Sequence, residues 1–134
     1  NVDEYCDAEV NDSMYFTLFP NFHPWGAFNR INYRFRPVGT KVDECLMECI
    51  YTEDYEGDDR PPPAEYIELG IDQEWTELIP DIGNLARVFQ QDSFNLPKVQ
   101  KGLETFKADG LTLTKYQELK SRHWHSMAER FIAN

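Results

Sequence analysis

A chain of 134 residues, 41% hydrophobic and 14% aromatic, has the material for one domain with a core and is too short for two comfortable ones. The balance of 13 Lys and Arg against 24 Asp and Glu leaves a net charge of −11. Such a surface repels phosphate backbones and anionic lipid, which argues against nucleic acid and membrane as partners. No apolar run approaches the roughly 18–20 residues of a membrane helix and no basic-then-apolar signal region opens the chain, so it reads as soluble.

The opening, Asn1-Val2-Asp3-Glu4-Tyr5-Cys6, lacks an initiator Met and reads at least as readily as a piece of something longer as a complete gene product. From Ser13 to Pro37 the composition turns aromatic and β-branched, and a first strand is expected over Met14 to Phe19. Asn29 to Arg36 alternates strictly, with Ile31, Tyr33 and Phe35 on one face and Asn32, Arg34 and Arg36 on the other, the pattern of a half-buried strand. Pro37-Val38-Gly39-Thr40 supplies turn residues, and Glu44 to Thr52 returns as a hairpin partner with Cys45, Met47, Cys49 and Tyr51 on one face.

The cysteines, Cys6, Cys45 and Cys49, are odd in number. Cys45 and Cys49, four residues apart on one strand, lie about 13 Å apart, too far for a bridge. Buried free thiols are the plain expectation, and a reducing, cytoplasmic setting follows from it. Residues 53–63 combine acidic side chains, Gly57 and three prolines, and read as an exposed loop. A calcium site there would not have EF-hand spacing.

A short strand is expected over Ala64 to Leu69, and then the pattern becomes helical. Pro80 suits a first helical position, with Ile82, Leu85, Ala86 and Phe89 at helical spacing. Pro97 is expected to interrupt this helix, and Leu96, Val99, Leu103 and Phe106 to form a second stripe ended by Gly110. Thr114 with Gln117 reads as a capping box opening a last helix, whose stripe is Tyr116, Leu119, His123, Met127 and Phe131. Strands first and helices last indicate an α+β fold with an antiparallel sheet.

Few residues stand out as chemical. Asp92 sits at the end of an apolar helical stripe, flanked by Gln90, Gln91 and Asn95, whose amides could orient a carboxylate. From spacing alone the favoured reading is a helix cap, with Asp92 or Asn95 receiving amide hydrogens at the start of the next helix. His123 and His125 lie two apart, about 200° round a helix, and cannot chelate one ion together. His123 reads as packed, His125 as solvated, and His23 as a structural residue in an aromatic turn. No nucleophile motif, phosphate loop or dinucleotide fingerprint is present.

Two stretches carry a resemblance. Tyr15-Phe16-Thr17-Leu18-Phe19-Pro20-Asn21-Phe22-His23-Pro24-Trp25-Gly26, followed by Phe28-Asn29-Arg30-Ile31 and Tyr33-Arg34-Phe35-Arg36-Pro37, is one. Ala86-Arg87-Val88-Phe89-Gln90-Gln91-Asp92, with Asn95-Leu96-Pro97 and Val99 to Leu103, is the other. Together with Leu113 to Glu118 and Arg122-His123-Trp124-His125, they resemble the catalytic domain of Rieske non-haem iron aromatic ring-hydroxylating oxygenases. The likeness spans about Met14 to Pro37 and Ile79 to Phe131.

The resemblance implies a partial helix-grip fold over residues 1–134, with strands at about 14–70 and helices at about 80–133. It also implies the C-terminal portion of an α-subunit catalytic domain with the Rieske domain absent. In that family two histidines and one carboxylate hold mononuclear iron(II) on one face, beside an aromatic substrate pocket. The carboxylate position matches Asp92, which makes Gln90 and Asn95 candidates to orient it. Phe16, Leu18, Asn21, Val88 and Phe89 become candidate pocket walls.

The family's two histidine ligands lie upstream of the region matching Tyr15, and no histidine precedes Met14 here. The Cys-x-His and Cys-x-x-His motifs of the 2Fe-2S cluster are absent as well. The resemblance thus implies iron(II), a Rieske cluster and NADH-derived electrons from a ferredoxin or reductase in a full-length enzyme. That enzyme would be a homotrimer, with or without a small β subunit, acting on an aromatic small molecule. The isolated chain is expected to be inactive. The rival expectation is a non-catalytic helix-grip module that binds hydrophobic ligands.

Overall fold

The computed structural model describes residues 2–12, 14–26, 30–79 and 82–133. Its mixed α+β content consists of a three-stranded antiparallel sheet followed by helices. The chain divides into two units, Asn1–Asp54 with Gly110–Asn134, and Tyr55–Asp109. Phe28, Asn29 and Pro80, which carried sequence expectations, lie outside the described residues.

The first unit holds a short helix α1 (Asp7–Asn11), strands β1 (Phe22–Pro24), β2 (Ile31–Pro37) and β3 (Cys45–Tyr51), and the last helix. The sheet order is β1-β2-β3. The predicted hairpin is present, with Ile31 paired to Tyr51, Tyr33 to Cys49 and Phe35 to Met47. The alternation that defined β2 therefore sets one shared face across both strands. Gly39, at φ +58°, provides the left-handed step of the connection, where Lys41 N donates to Val38 O at 3.2 Å. On the opposite face Glu48 accepts from Arg34 at 2.5 Å and from Arg36 at 2.6 Å.

The expected strand over Met14 to Phe19 is reduced to two isolated bridges, Tyr15 to Trp25 and Leu18 to Phe22. Backbone bonds from Phe16 N to Pro24 O and from Gly26 N to Met14 O keep this segment alongside β1. Rings continue the packing. Tyr15 stacks on Trp25 at 5.4 Å, Trp25 meets Tyr33 edge-on at 6.0 Å, and His23 meets Phe35 at 5.7 Å.

The last helix of this unit, α4 (Leu119–Ile132), starts two residues after the expected partner of its capping box. The reciprocal bonds join Thr114 to Glu118 instead of Gln117: Glu118 N donates to Thr114 Oγ1 at 3.2 Å, and the Glu118 carboxylate accepts from Thr114 N. A carboxylate competes better than an amide for a backbone donor. One extra residue shifts the box accordingly.

The second unit contains α2 (Trp75–Leu78) and α3 (Leu85–Thr105). Its core is Phe89, fully buried, packed with Ala86 and with Trp75 at a ring separation of 5.3 Å. The expected strand at Ala64 to Leu69 is irregular, because nothing among the described residues offers it a partner ladder.

Pro97 does not divide the helix. α3 runs unbroken through it, so the two expected helices are one. Only one rung is lost at a proline, and Lys98 to Glu104 are mostly strong helix formers that resume the ladder. The helix ends at an extended Phe106, and Gly110 has no left-handed backbone, so the expected glycine cap is replaced by a turn onto Leu103 O.

Candidate functional site

The first unit carries a groove of about 310 Å³ lined by Thr17, Phe19, Leu119, Lys120, His123, Trp124 and Met127. Its two walls are the aromatic segment before β1 and one face of α4. Leu119, His123 and Met127 recur at i, i+4 and i+8, so they stand in one row along the helix. Lys120 and Trp124 form the neighbouring row and make the attachments. The Trp124 indole donates to Pro20 O at 2.6 Å, and its ring lies 6.0 Å from that of Phe19. Lys120 Nζ donates to Tyr15 O at 2.5 Å while lying 3.3 Å above the Tyr15 ring.

This arrangement gives the groove an apolar floor and a small polar rim. Burial holds the Lys120 ammonium below the usual lysine range. Next to the lining residue Thr17 stands His23, whose Nδ1 lies 3.2 Å from Thr17 Oγ1. Burial, and then the Lys120 charge, push His23 below its ordinary value of 6.5. Such a site suits a flat, apolar ligand with one polar or anionic group at its edge.

The resemblance-derived residues fall in both units. Phe16 and Leu18, in the first, are more than half exposed, and Asn21 spends its Nδ2 donor on Phe35 O at 2.7 Å. In the second, Phe89 is sealed in the core and Val88 is exposed on α3.

Asp92 is exposed on α3, with Asn95 three residues on, a spacing that puts the two on one side of the helix. With α3 continuous, neither residue stands at a helix start, and the cap of α3 is Asn84. Gln90, two residues before Asp92, points to a different side, where its Oε1 accepts from Trp75 N at 2.7 Å. Gln90 therefore anchors α2 to α3.

Among the described residues, no three of His, Cys, Asp and Glu come together as a group that could hold a metal ion. The donors present here thus do not make up a two-histidine, one-carboxylate iron site by themselves. His123, expected to be packed, is exposed at the groove rim, because α4 presents that row to the open side.

No protein-family model matches this chain, and neither the curated proteins nor the solved structures contain a match to it. No helix among the described residues is long and apolar enough to cross a membrane.

The groove was half legible in the sequence. The apolar stripe supplied Leu119, His123 and Met127, whereas Thr17, Lys120 and Trp124 were missed. The available signal was Trp124 itself, a large ring with one polar N–H next to the stripe, which needs an acceptor when packed.

Proposed function

We propose that this chain is the C-terminal portion of the catalytic domain of a Rieske-type aromatic ring-hydroxylating oxygenase, contributing Asp92 as the carboxylate ligand of its mononuclear iron. Motif order supports the reading. So does the apolar surface of α3, where Leu96, Val99 and Leu103 share one side of the helix and are 42–55% exposed. A helix face of that kind is more apolar than water favours and fits burial against further protein. Asp92 and Asn95 emerge on this same continuous helix, and a carboxylate with an adjacent amide is the pairing that orients metal ligands.

On this reading the two histidine ligands, the cluster and the electron-transfer partner come from outside the sequence considered, and the isolated chain does not turn over. The test is metal analysis of the protein expressed from its whole native gene. Asp92→Ala should remove mononuclear iron and product formation while leaving the cluster spectrum intact. Iron retained at full stoichiometry would overturn the ligand role.

A second reading, a metal-independent binder of hydrophobic ligands, is favoured by the groove beside α4. It predicts that a naphthoate-like probe quenches Trp124 fluorescence in metal-free protein. It also predicts that Met127→Trp, which fills the groove, abolishes the quenching.

A further inference from the structure

We propose that Gln90 is a positioning residue for Asp92: by capping the first amide of α2 it fixes the rotation and height of the α3 turn that carries the carboxylate. The inference rests on the reading of Asp92 as a metal ligand and concerns how this chain holds that group in place.

Ala86, Phe89 and Gln90 stand at i, i+3 and i+4, so they share a face of α3. That face meets α2. Ala86 is 2% exposed, Phe89 is fully buried, and Trp75 is buried against them. The Phe89 and Trp75 rings lie 5.3 Å apart, an apolar contact that by itself sets no direction.

The hydrogen bond beside it does. Trp75 N is the first amide of α2, a donor that no carbonyl of its own helix can reach, and Glu74 before it makes no side-chain cap. Gln90 Oε1 accepts that bond at 2.7 Å in a part-buried setting. A hydrogen bond has a preferred length and angle. It therefore holds α3 against α2 in both rotation and translation.

Asp92 lies two residues on, about 200° round the axis and about 3 Å along it. The carboxylate thus stands on the side of α3 away from α2, and any rotation of the helix at Gln90 turns Asp92 by the same angle. A helix with its side chains is about 10–12 Å across, so a rotation of about 20° carries a carboxylate oxygen about 2 Å. That is a whole metal–oxygen bond length, against a tolerance of about 0.5 Å for a working set of ligands. Beyond Asp92 the helical ladder holds less firmly, because Pro97 offers the Ser93 carbonyl no amide. The tether that defines where Asp92 stands is on the Gln90 side. Gln90 acts on the carboxylate through the helix and not by touching it.

The experiment uses protein expressed from the whole native gene, without oxygen or substrate and well below its melting midpoint. It follows the release of mononuclear iron to a colorimetric iron(II) chelator. Gln90→Met keeps the length and helix propensity of the side chain and removes the acceptor. Release should quicken by at least about tenfold, the usual cost of losing a group that orients a metal ligand. Gln90→Glu keeps an acceptor oxygen at the same reach and should recover slow release. Amide hydrogen exchange at Trp75 should be fast in Gln90→Met and slow in Gln90→Glu. Should Gln90→Met fail to fold, Gln90→Asn, one methylene shorter, carries the same expectation.

Slow release from Gln90→Met, while Asp92→Ala holds no mononuclear iron, overturns the positioning role alone. Equally fast release from Gln90→Met and Gln90→Glu overturns it too, since the acceptor would then not be what matters. An Asp92→Ala protein that keeps its iron overturns the ligand reading as well.

Discussion

The indole of Trp124 donates its Nε1–H to the carbonyl of Pro20 at 2.6 Å, a bond spanning 104 positions of sequence. With the Lys120–Tyr15 bond it ties the last helix to the aromatic segment before β1, closing the groove on one side. Trp124→Phe keeps most of the ring and removes the donor. Unfolding by urea should show a loss of about 1 kcal/mol, the usual worth of one such bond. Binding of an aromatic probe in the groove should weaken in parallel.

Among the described residues of the second unit Phe89 is the one fully buried large side chain, and it packs on Trp75. Phe89→Ala should cost about 3–5 kcal/mol, a transfer loss plus an unfilled cavity. Trp75 fluorescence would report it as a lower midpoint for the second unit. A midpoint unchanged by this substitution would mean that Phe89 is not the core residue the structure makes it.

His23 carries a pH dependence with a definite sign. Its folded value lies below the ordinary 6.5, chiefly through burial and secondly through Lys120. The unfolded chain therefore takes up a proton near 6.5 while the folded chain still resists it. Stability is complete above that pH and declines as the pH falls towards the folded value. Proton NMR of the imidazole should place the His23 titration below 6.5. Lys120→Met should raise it without restoring it fully, because burial remains.

The thiols should separate by reactivity. Contrary to the expectation of buried thiols, Cys6 and Cys45 are exposed, whereas burial pushes Cys49 up to about 11. Only the thiolate attacks a disulfide reagent. At pH 8 two thiols should react quickly with a chromogenic disulfide and the third slowly, until denaturant is added. Mass spectrometry after alkylation identifies the protected residue as Cys49.

The parts of the fold that could be read in advance are those where one period governs. Ile31, Tyr33 and Phe35 alternate without exception, and the expected β2–β3 hairpin is present, with these residues paired to Tyr51, Cys49 and Met47. Met14 to Phe19 is apolar or aromatic at every position but Thr17, without alternation, and holds its neighbour by scattered bonds, so the sequence overstates it as a strand. Pro97 misleads in the opposite sense: the local penalty is real, but it is one rung in a helix of 21 residues. The candidate site was legible in its apolar row on α4 and illegible in Tyr15, Thr17 and Pro20, because those meet α4 only through long-range folding. Asp92 was legible as an unusual residue, and its exposure and its separation from Gln90 were not.

Because Pro97 has no amide hydrogen, the Ser93 carbonyl four residues earlier has no helical donor to receive. Ser93 sits between Asp92 and Asn95 in the chain, so the carboxylate lies next to the turn of α3 that lacks this rung. Amide deuterium uptake should be fastest there among the central turns, and a small rotation about that turn would re-aim Asp92 without dismantling either half of the rod.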